Sequence, residues 1–209
     1  MTFYKKLSLY PNPLGGNYMP QLMHEKAMFN TFNREQLYEH LYATDEVEKF
    51  LSPILLEQFN QLGYKPVILV NFSEYGEIYD TWLHSDLTYH NDEWKPLGFG
   101  INWELQPGET TFNWFEPHES GVPPAKNSGS MSWPRNVING IRYRDESKLT
   151  KIHSVTFEPN TAYLVRTDIP HKISSRSPGK FRECISVRFR YDDIPTWERA
   201  LEVFAPYFA

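Results

Sequence analysis

The chain has 209 residues and a formal net charge of −5, with 40% apolar and 22% charged residues, which is typical of a globular protein and excludes collagen-like or intrinsically disordered ones. The acidic balance gives no general affinity for nucleic acid or for anionic membranes. The single cysteine, Cys184, excludes an intramolecular disulfide and a thiolate zinc cluster.

The first third of the chain carries the strongest helical signal. Residues 1–20 are rich in proline and glycine, which predicts an extended start. Between residues 21 and 62 the apolar side chains recur mostly at spacings of three and four, which predicts two or three helices. Asn33 and Thr44 are candidate N-caps, and Gly63 ends the helical run.

After Gly63 the pattern changes to short segments rich in β-branched and aromatic residues. Strands are predicted at 64–75, 98–106, 110–117, 136–144, 150–159, 161–175 and 180–192. A loop is predicted at 118–136, and a short helix in the tail. Strands at this spacing without intervening helices predict an antiparallel sandwich or barrel, with the helices of the first third covering one face.

A metal site is suggested by the pair His84 and Asp86. Residues two apart on a strand project from one face, so an imidazole and a carboxylate at this spacing can bind one ion. His171, which follows two predicted strands, is the better third ligand. Two histidines and one carboxylate leave coordination positions open, which suits iron(II), whereas zinc more often takes a third histidine or a cysteine.

Arginines lie on one side of the last predicted strand. Alternation places Arg182, Arg188 and Arg190 on the same face, and a buried guanidinium needs an anionic partner. A guanidinium can hold a carboxylate through two parallel hydrogen bonds. Arg182, eleven residues after His171, is our first candidate for such a role, with Arg188 and Arg190 as alternatives.

The order of these motifs over residues 64–192 resembles the iron(II)/2-oxoglutarate-dependent oxygenases. The likeness rests on H-x-D, then "INWELQPGETTFNWFEP" as a central hairpin, then "YLV" followed by Pro-His, then an arginine. It implies a mainly β fold with flanking helices, a double-stranded β-helix (jelly roll or cupin barrel) supported by N-terminal helices. We therefore expect a single domain over 1–209, with helical support at 1–62, the barrel at 63–192 and a C-terminal helix at 193–209.

The resemblance also implies a reaction and its residues. Iron(II) would be held by His84, Asp86 and His171, and 2-oxoglutarate by Arg182 and Asn102. Molecular oxygen and 2-oxoglutarate would be consumed, succinate and carbon dioxide released, and the substrate hydroxylated. We favour a small molecule, an amino acid or an exposed peptide side chain as substrate, over nucleic acid. Neither a membrane span nor a signal-peptide segment is visible, so a cytoplasmic location is expected.

Two other functions stay open at this stage. One is a metal-binding cupin of another reaction class, although such proteins more often present H-x-H with a glutamate and a later histidine. The other is a non-catalytic jelly-roll protein with a binding or structural role. The aromatic content of 16% supports this second alternative, because aromatic rings stack on sugars and cover binding surfaces.

Overall fold

A computed structural model describes the protein at residues 2–15, 28–34, 37–44, 46–76, 79–80, 83–106, 109–117, 138–143, 145–175 and 180–209. The strands there are β1 (Tyr4–Leu7), β2 (Met28–Arg34), β3 (Leu37–Thr44), β4 (Pro66–Gly76), β5 (Tyr79–Asp80), β6 (His84–His90), β7 (Glu93–Pro96), β8 (Phe99–Gln106), β9 (Thr110–Pro117), β10 (Ile138–Arg142), β11 (Leu149–Val155), β12 (Ala162–Arg166), β13 (His171–Ser175) and β14 (Lys180–Phe189). The helices are α1 (Val47–Phe50), α2 (Pro53–Gln61) and α3 (Trp197–Phe204), with 3₁₀ turns at Glu146–Lys148 and Ala205–Tyr207.

The strands form two antiparallel sheets. The first has the order β1-β12-β8-β14-β4-β3-β2, and the second has the order β10-β6-β13-β9-β11. Strand β5 also pairs with β13, and β7 pairs with β6. Eight of these strands, β4, β6, β8, β9, β11, β12, β13 and β14 in chain order, are divided equally between the two sheets. Their spatial order is β12-β8-β14-β4 in one sheet and β6-β13-β9-β11 in the other. This is the strand order of a double-stranded β-helix, and the predicted fold class is therefore confirmed.

The helices cover the outer face of the first sheet. Leu55 and Phe59 of α2 and Phe204 of α3 are fully buried in one cluster with Ile101 and Ile185 of the sheet. Thr196 caps α3 by accepting a hydrogen bond from the backbone N–H of Arg199. None of the helices in the described part of the chain combines the length and the apolar character needed to cross a lipid bilayer.

The space between the two sheets has an apolar part and a polar part. Phe112 and Trp114 of the second sheet pack there against Tyr163 and Val165 of the first. Tyr163 lies directly opposite Asn102 in the β12–β8 pairing, and Val165 lies opposite Gly100. Directly opposite residues share a face, so Gly100, Asn102 and Glu104 also face the space between the sheets.

The helices predicted at the start of the 21–62 segment are wrong. Residues 28–34 and 37–44 form strands β2 and β3, which extend the first sheet by pairing with each other and with β4. Asn33 lies within β2 and Thr44 ends β3, so neither is a helix cap. Leucines four residues apart share a face in a strand as well as in a helix, and pairing with β4 decides between the two.

The later predictions agree better with the structure. Helices do form at 47–50 and 53–61, and Gly63 follows them with a positive φ of 81°. Each predicted strand after Gly63 is present within a few residues, and the 161–175 segment divides into β12 and β13. The loop predicted at 118–136 lies outside the described residues.

Candidate metal centre

Two neighbouring strands bring three potential metal ligands together. His84 at the start of β6 lies directly opposite His171 at the start of β13, so the two imidazole rings meet with centroids 4.5 Å apart. Asp86 lies two residues further along β6, on the same face as His84. The backbone N–H of Asp86 donates to the carbonyl of Thr167 at 2.8 Å, which fixes the strand beside the chain that leads to His171.

The donor atoms of these residues are arranged around one point. One ligand atom from each of the three residues lies within 4.8 Å of the others. The Oδ1 atom of Asp86 is 3.5 Å from Nε2 of His84 and 4.0 Å from Nε2 of His171. Neighbouring ligand atoms on an ion with bonds of about 2.1 Å lie ~3 Å apart. The three donor atoms would therefore need to move only slightly closer together to bind one ion. The donor set therefore fits a single divalent transition-metal ion.

His171 is held in the form that can bind a metal. Its Nδ1 atom lies 2.9 Å from the carbonyl of Ile169, so Nδ1 donates a proton there and Nε2 keeps its lone pair toward Asp86. Burial lowers the pKa of His171 to about 4, and the nearby His84 adds to this effect. The ring of Phe112 stacks on the imidazole at 5.2 Å and shields it. His171 is thus neutral at pH 7, as metal ligation requires.

The three ligands differ in their access to solvent. The side chains of Asp86 and His171 are only 10% and 5% exposed, whereas that of His84 is 31% exposed. A small molecule can therefore approach the centre on the side of His84.

Arg188 of β14 brings a guanidinium to this centre. Its Nη2 atom lies 3.3 Å from Oδ2 of Asp86, which is the carboxylate oxygen that does not face the histidines. Its Nη1 atom donates to the hydroxyl of Ser186 and lies 3.5 Å from Oδ1 of Asn102. The hydroxyl of Ser186 in turn donates to Oδ1 of Asn102 at 2.5 Å. These buried groups form one polar network that begins at the candidate metal ligand Asp86.

Gly100 makes the position of Arg188 possible. A Cβ atom at residue 100 would lie 1.7 Å from Nη1 and 2.3 Å from Cζ of Arg188. The guanidinium therefore occupies the volume that any other residue at this position would fill. The absence of a side chain on β8 is thus a requirement of the Arg188 geometry.

Arg182 has a different partner. Its Nη2 atom donates to Oε1 of Glu104 at 2.6 Å, and these side chains are 1% and 2% exposed. Arg188 lies six positions after Arg182 on β14, which corresponds to roughly 20 Å along the strand. Arg182 thus belongs to a buried ion pair between β8 and β14.

The structure places the sequence-predicted residues in two groups. His84, Asp86 and His171 come together, and Asn102 joins them through Arg188. Arg182 is paired with Glu104 instead, and its predicted contact with 2-oxoglutarate stays a prediction. The sequence predicts Arg188 only as an alternative, and it assigns no role to Gly100 or Glu104. The alternation of β8 placed these two on the face of Asn102, but their partners lie about 80 residues away.

Comparisons with known proteins give remote likenesses only. No family model matches the sequence. No curated protein matches it significantly. Among solved structures, the chain is similar to HygX from Streptomyces hygroscopicus with nickel and 2-oxoglutarate bound, at 11% identity over 83% of this chain and 79% of that one, with a TM-score of 0.39.

Two vicilins give likenesses of similar strength. Vicilin from Solanum melongena is 11% identical with a TM-score of 0.36, and vicilin from Corylus avellana is 12% identical with a TM-score of 0.32. Each match covers 90% of this chain and 45% of the vicilin. TM-scores this low carry no activity over to this protein. The strand order and the donor atoms themselves define its class, a double-stranded β-helix protein with a candidate His-Asp-His metal centre.

Proposed function

We propose that the protein is a non-haem iron(II)- and 2-oxoglutarate-dependent dioxygenase that hydroxylates a small molecule, an amino acid or an exposed peptide side chain. The observation that carries the proposal is the meeting of His84, Asp86 and His171 between the sheets. Two imidazoles and one carboxylate fill one side of an ion and leave the other side for oxygen and a chelating acid. A bound iron(II) ion would supply the chemistry that converts 2-oxoglutarate, oxygen and substrate into succinate, carbon dioxide and hydroxylated product.

The charges around the centre suit a dicarboxylate. The carboxylate of Asp86 and the guanidinium of Arg188 cancel each other, and metal-binding imidazoles are neutral. A divalent ion would therefore give the site a net charge of about +2, which complements the two carboxylates of 2-oxoglutarate. The buried Glu104–Arg182 pair adds no net charge.

Within this proposal, the residues of the chain have separate tasks. His84, Asp86 and His171 would bind the metal, and Ile169 holds His171 with Nε2 free for it. Arg188 and Asn102, linked to Asp86 in one network, would bind a carboxylate of the acid. Because Arg188 contacts the candidate ligand Asp86 itself, whereas Arg182 pairs with Glu104 elsewhere on β14, we favour Arg188 over Arg182 for this contact.

The proposal is tested by anaerobic titration of the metal-free protein with iron(II) and then with 2-oxoglutarate. We expect a visible charge-transfer band only when both are present, and succinate in an amount equal to the 2-oxoglutarate lost once oxygen is admitted. Asp86→Asn should lose both signals. Asp145→Asn makes the same chemical change at an exposed carboxylate, and this variant should keep both signals.

The alternatives correspond to other outcomes of the same titration. Tight metal binding with no response to 2-oxoglutarate would assign the protein to a cupin of another reaction class. No metal binding by the folded chain would make it a non-catalytic jelly-roll protein. Succinate formation at the wild-type rate in folded Asp86→Asn protein would contradict the ligand set itself.

A further inference from the structure

We infer that a cavity beside the candidate metal centre binds a small monocarboxylate with an apolar body, and that this acid is the substrate class. The assignment to the substrate rests on the proposed function. The binding of a carboxylate rests on the cavity alone. The cavity has a volume of about 290 Å³ and lies where β4, β6 and β14 meet.

The apolar part of the lining comes from three elements. Ile68 of β4, Leu97 after β7 and Phe189 at the end of β14 contribute buried side chains. Phe189 packs edge-to-face against the ring of Phe59, whose centroid lies 5.3 Å away, and this contact holds Phe189 in place. These side chains form a pre-built apolar wall, which favours a ligand with a hydrocarbon or aromatic body. The volume is below that of most drug-sized pockets, so the ligand is small.

Two arginines of β14 line the same cavity. Arg188 is 6% exposed, and its Nε atom is buried without a hydrogen-bond partner among the described residues. Arg190 is exposed at the rim, and its side chain has no hydrogen bond or ion pair within the described part of the chain. A guanidinium offers five N–H donors in a planar fork, which matches a carboxylate. Arg190 is therefore the group that can bind an anion without first losing a partner.

The acidic side chain in the lining is already paired. Oδ1 of Asp192 lies 3.0 Å from Nε2 of His90, and Asp192 is 71% exposed. Its charge is therefore screened by solvent, and its carboxylate is engaged with the imidazole of His90. One free guanidinium at the rim suits one negative charge, which points to a monocarboxylate rather than to a doubly charged phosphate ester.

The cavity and the metal centre share a wall. Arg188 contacts Asp86 with Nη2 and also lines the cavity. Arg190 is two residues further along the chain, about 6.6 Å away along an extended backbone. A carboxylate bound at Arg190 would therefore leave the apolar body of the same molecule inside the cavity, beside the Arg188 that contacts Asp86. Within the proposed function, a substrate held there would lie next to the candidate metal centre.

The test uses benzoate as the probe and benzamide as its uncharged analogue. The metal-free chain, with EDTA present, is titrated with each while backbone amide signals are followed by NMR. We expect benzoate to shift the amide signals of Thr88, Leu97 and Tyr191, all of which line the cavity, and benzamide to bind more weakly. Arg190→Gln should weaken benzoate binding roughly fivefold, as for one solvent-exposed charge pair.

Arg199→Gln is the matched control, because Arg199 is exposed and pairs with Glu202 on α3. This variant should bind benzoate like the wild type. Equal binding of benzoate and benzamide, no shift at the cavity, or unchanged benzoate binding in Arg190→Gln would each overturn the inference. Because no metal is present, these results do not depend on the proposed function. Weaker benzoate binding in Arg190→Gln, together with no succinate formation by the iron-loaded wild-type protein, would support the carboxylate site in the cavity. The same pair of results would reject the dioxygenase.

Discussion

The Nη2 atom of Arg188 lies 3.3 Å from Oδ2 of Asp86, while Oδ1 of the same carboxylate faces His84 and His171. One carboxylate thus joins the three-ligand group to the polar network inside the barrel. Under the proposed function, an anion bound at the candidate centre would meet the guanidinium that contacts the candidate ligand Asp86. The effect of changing Arg188 should therefore appear in the binding of the co-substrate.

Arg188→Met is expected to raise the dissociation constant of 2-oxoglutarate by roughly 10- to 100-fold, because a charge-assisted hydrogen bond and one positive charge are removed. The measurement is the anaerobic titration of the iron-loaded variant with 2-oxoglutarate. Arg188→Lys keeps the charge but loses the planar fork, so its affinity should be intermediate. An unchanged affinity in folded Arg188→Met would remove Arg188 from the co-substrate site.

Gly100→Ala should weaken 2-oxoglutarate binding in the same direction, because a Cβ atom would lie 1.7 Å from Nη1 of Arg188 and displace the guanidinium. In an Arg188→Met background the added methyl group meets no guanidinium, so the second substitution should have little further effect. The four dissociation constants form a double-mutant cycle. Additive effects of the two substitutions would contradict the steric relation.

Gly98→Ala supplies the control for this cycle. A Cβ atom at residue 98 would lie 2.7 Å from the backbone nitrogen of Trp197, at the start of α3. Backbone cannot move aside as a side-chain end can, so this variant should lower the melting temperature equally with Arg188 or Met at position 188. The comparison separates general damage to the fold from the specific displacement of Arg188.

Phe59→Ala should destabilise the protein by about 3–5 kcal/mol, the usual cost of removing a buried aromatic ring. Phe59 is fully buried and contacts Phe189 and Phe204, so it joins the helical layer to the outer face of the first sheet. The measurement is urea unfolding. Ile54→Ala on the same helix is the control: Ile54 is 50% exposed, and its loss should change stability by less than about 0.5 kcal/mol. Equal losses would mean that α2 packs differently.

Much of the fold follows from period-two alternation. Phe99, Ile101 and Trp103 face one side of β8, and these are the residues buried under the helices. The same rule places Gly100, Asn102 and Glu104 on the inner face. The rule fails at 37–44, because Leu37 and Leu41 are four residues apart and lie on one face in either a helix or a strand. At 37–44 the pairing with β4 decides that the segment is a strand, and the local sequence pattern carries no information about that pairing.

The candidate site could be predicted only in part for a related reason. His84 and Asp86 are neighbours in sequence, so alternation alone puts them together. Their meeting with His171 depends on the pairing of β6 with β13, which is a property of the barrel topology. The choice between Arg182 and Arg188 depends on which carboxylate each guanidinium meets, at sequence separations of 78 and 102. Strand periodicity assigns a face to a residue and leaves its partner unspecified.

The role of Arg182 can be decided by stability and affinity measured together. If the pair with Glu104 is structural, Arg182→Met should cost about 3–5 kcal/mol in urea unfolding, because a buried carboxylate would lose the charge that faces it. The double variant Arg182→Met with Glu104→Leu should recover most of this loss, since replacing a buried ion pair by apolar residues is often neutral. In the double variant the affinity for 2-oxoglutarate should stay near the wild-type value. A folded double variant with normal stability that no longer binds 2-oxoglutarate would instead assign the co-substrate contact to Arg182, as the sequence first suggested.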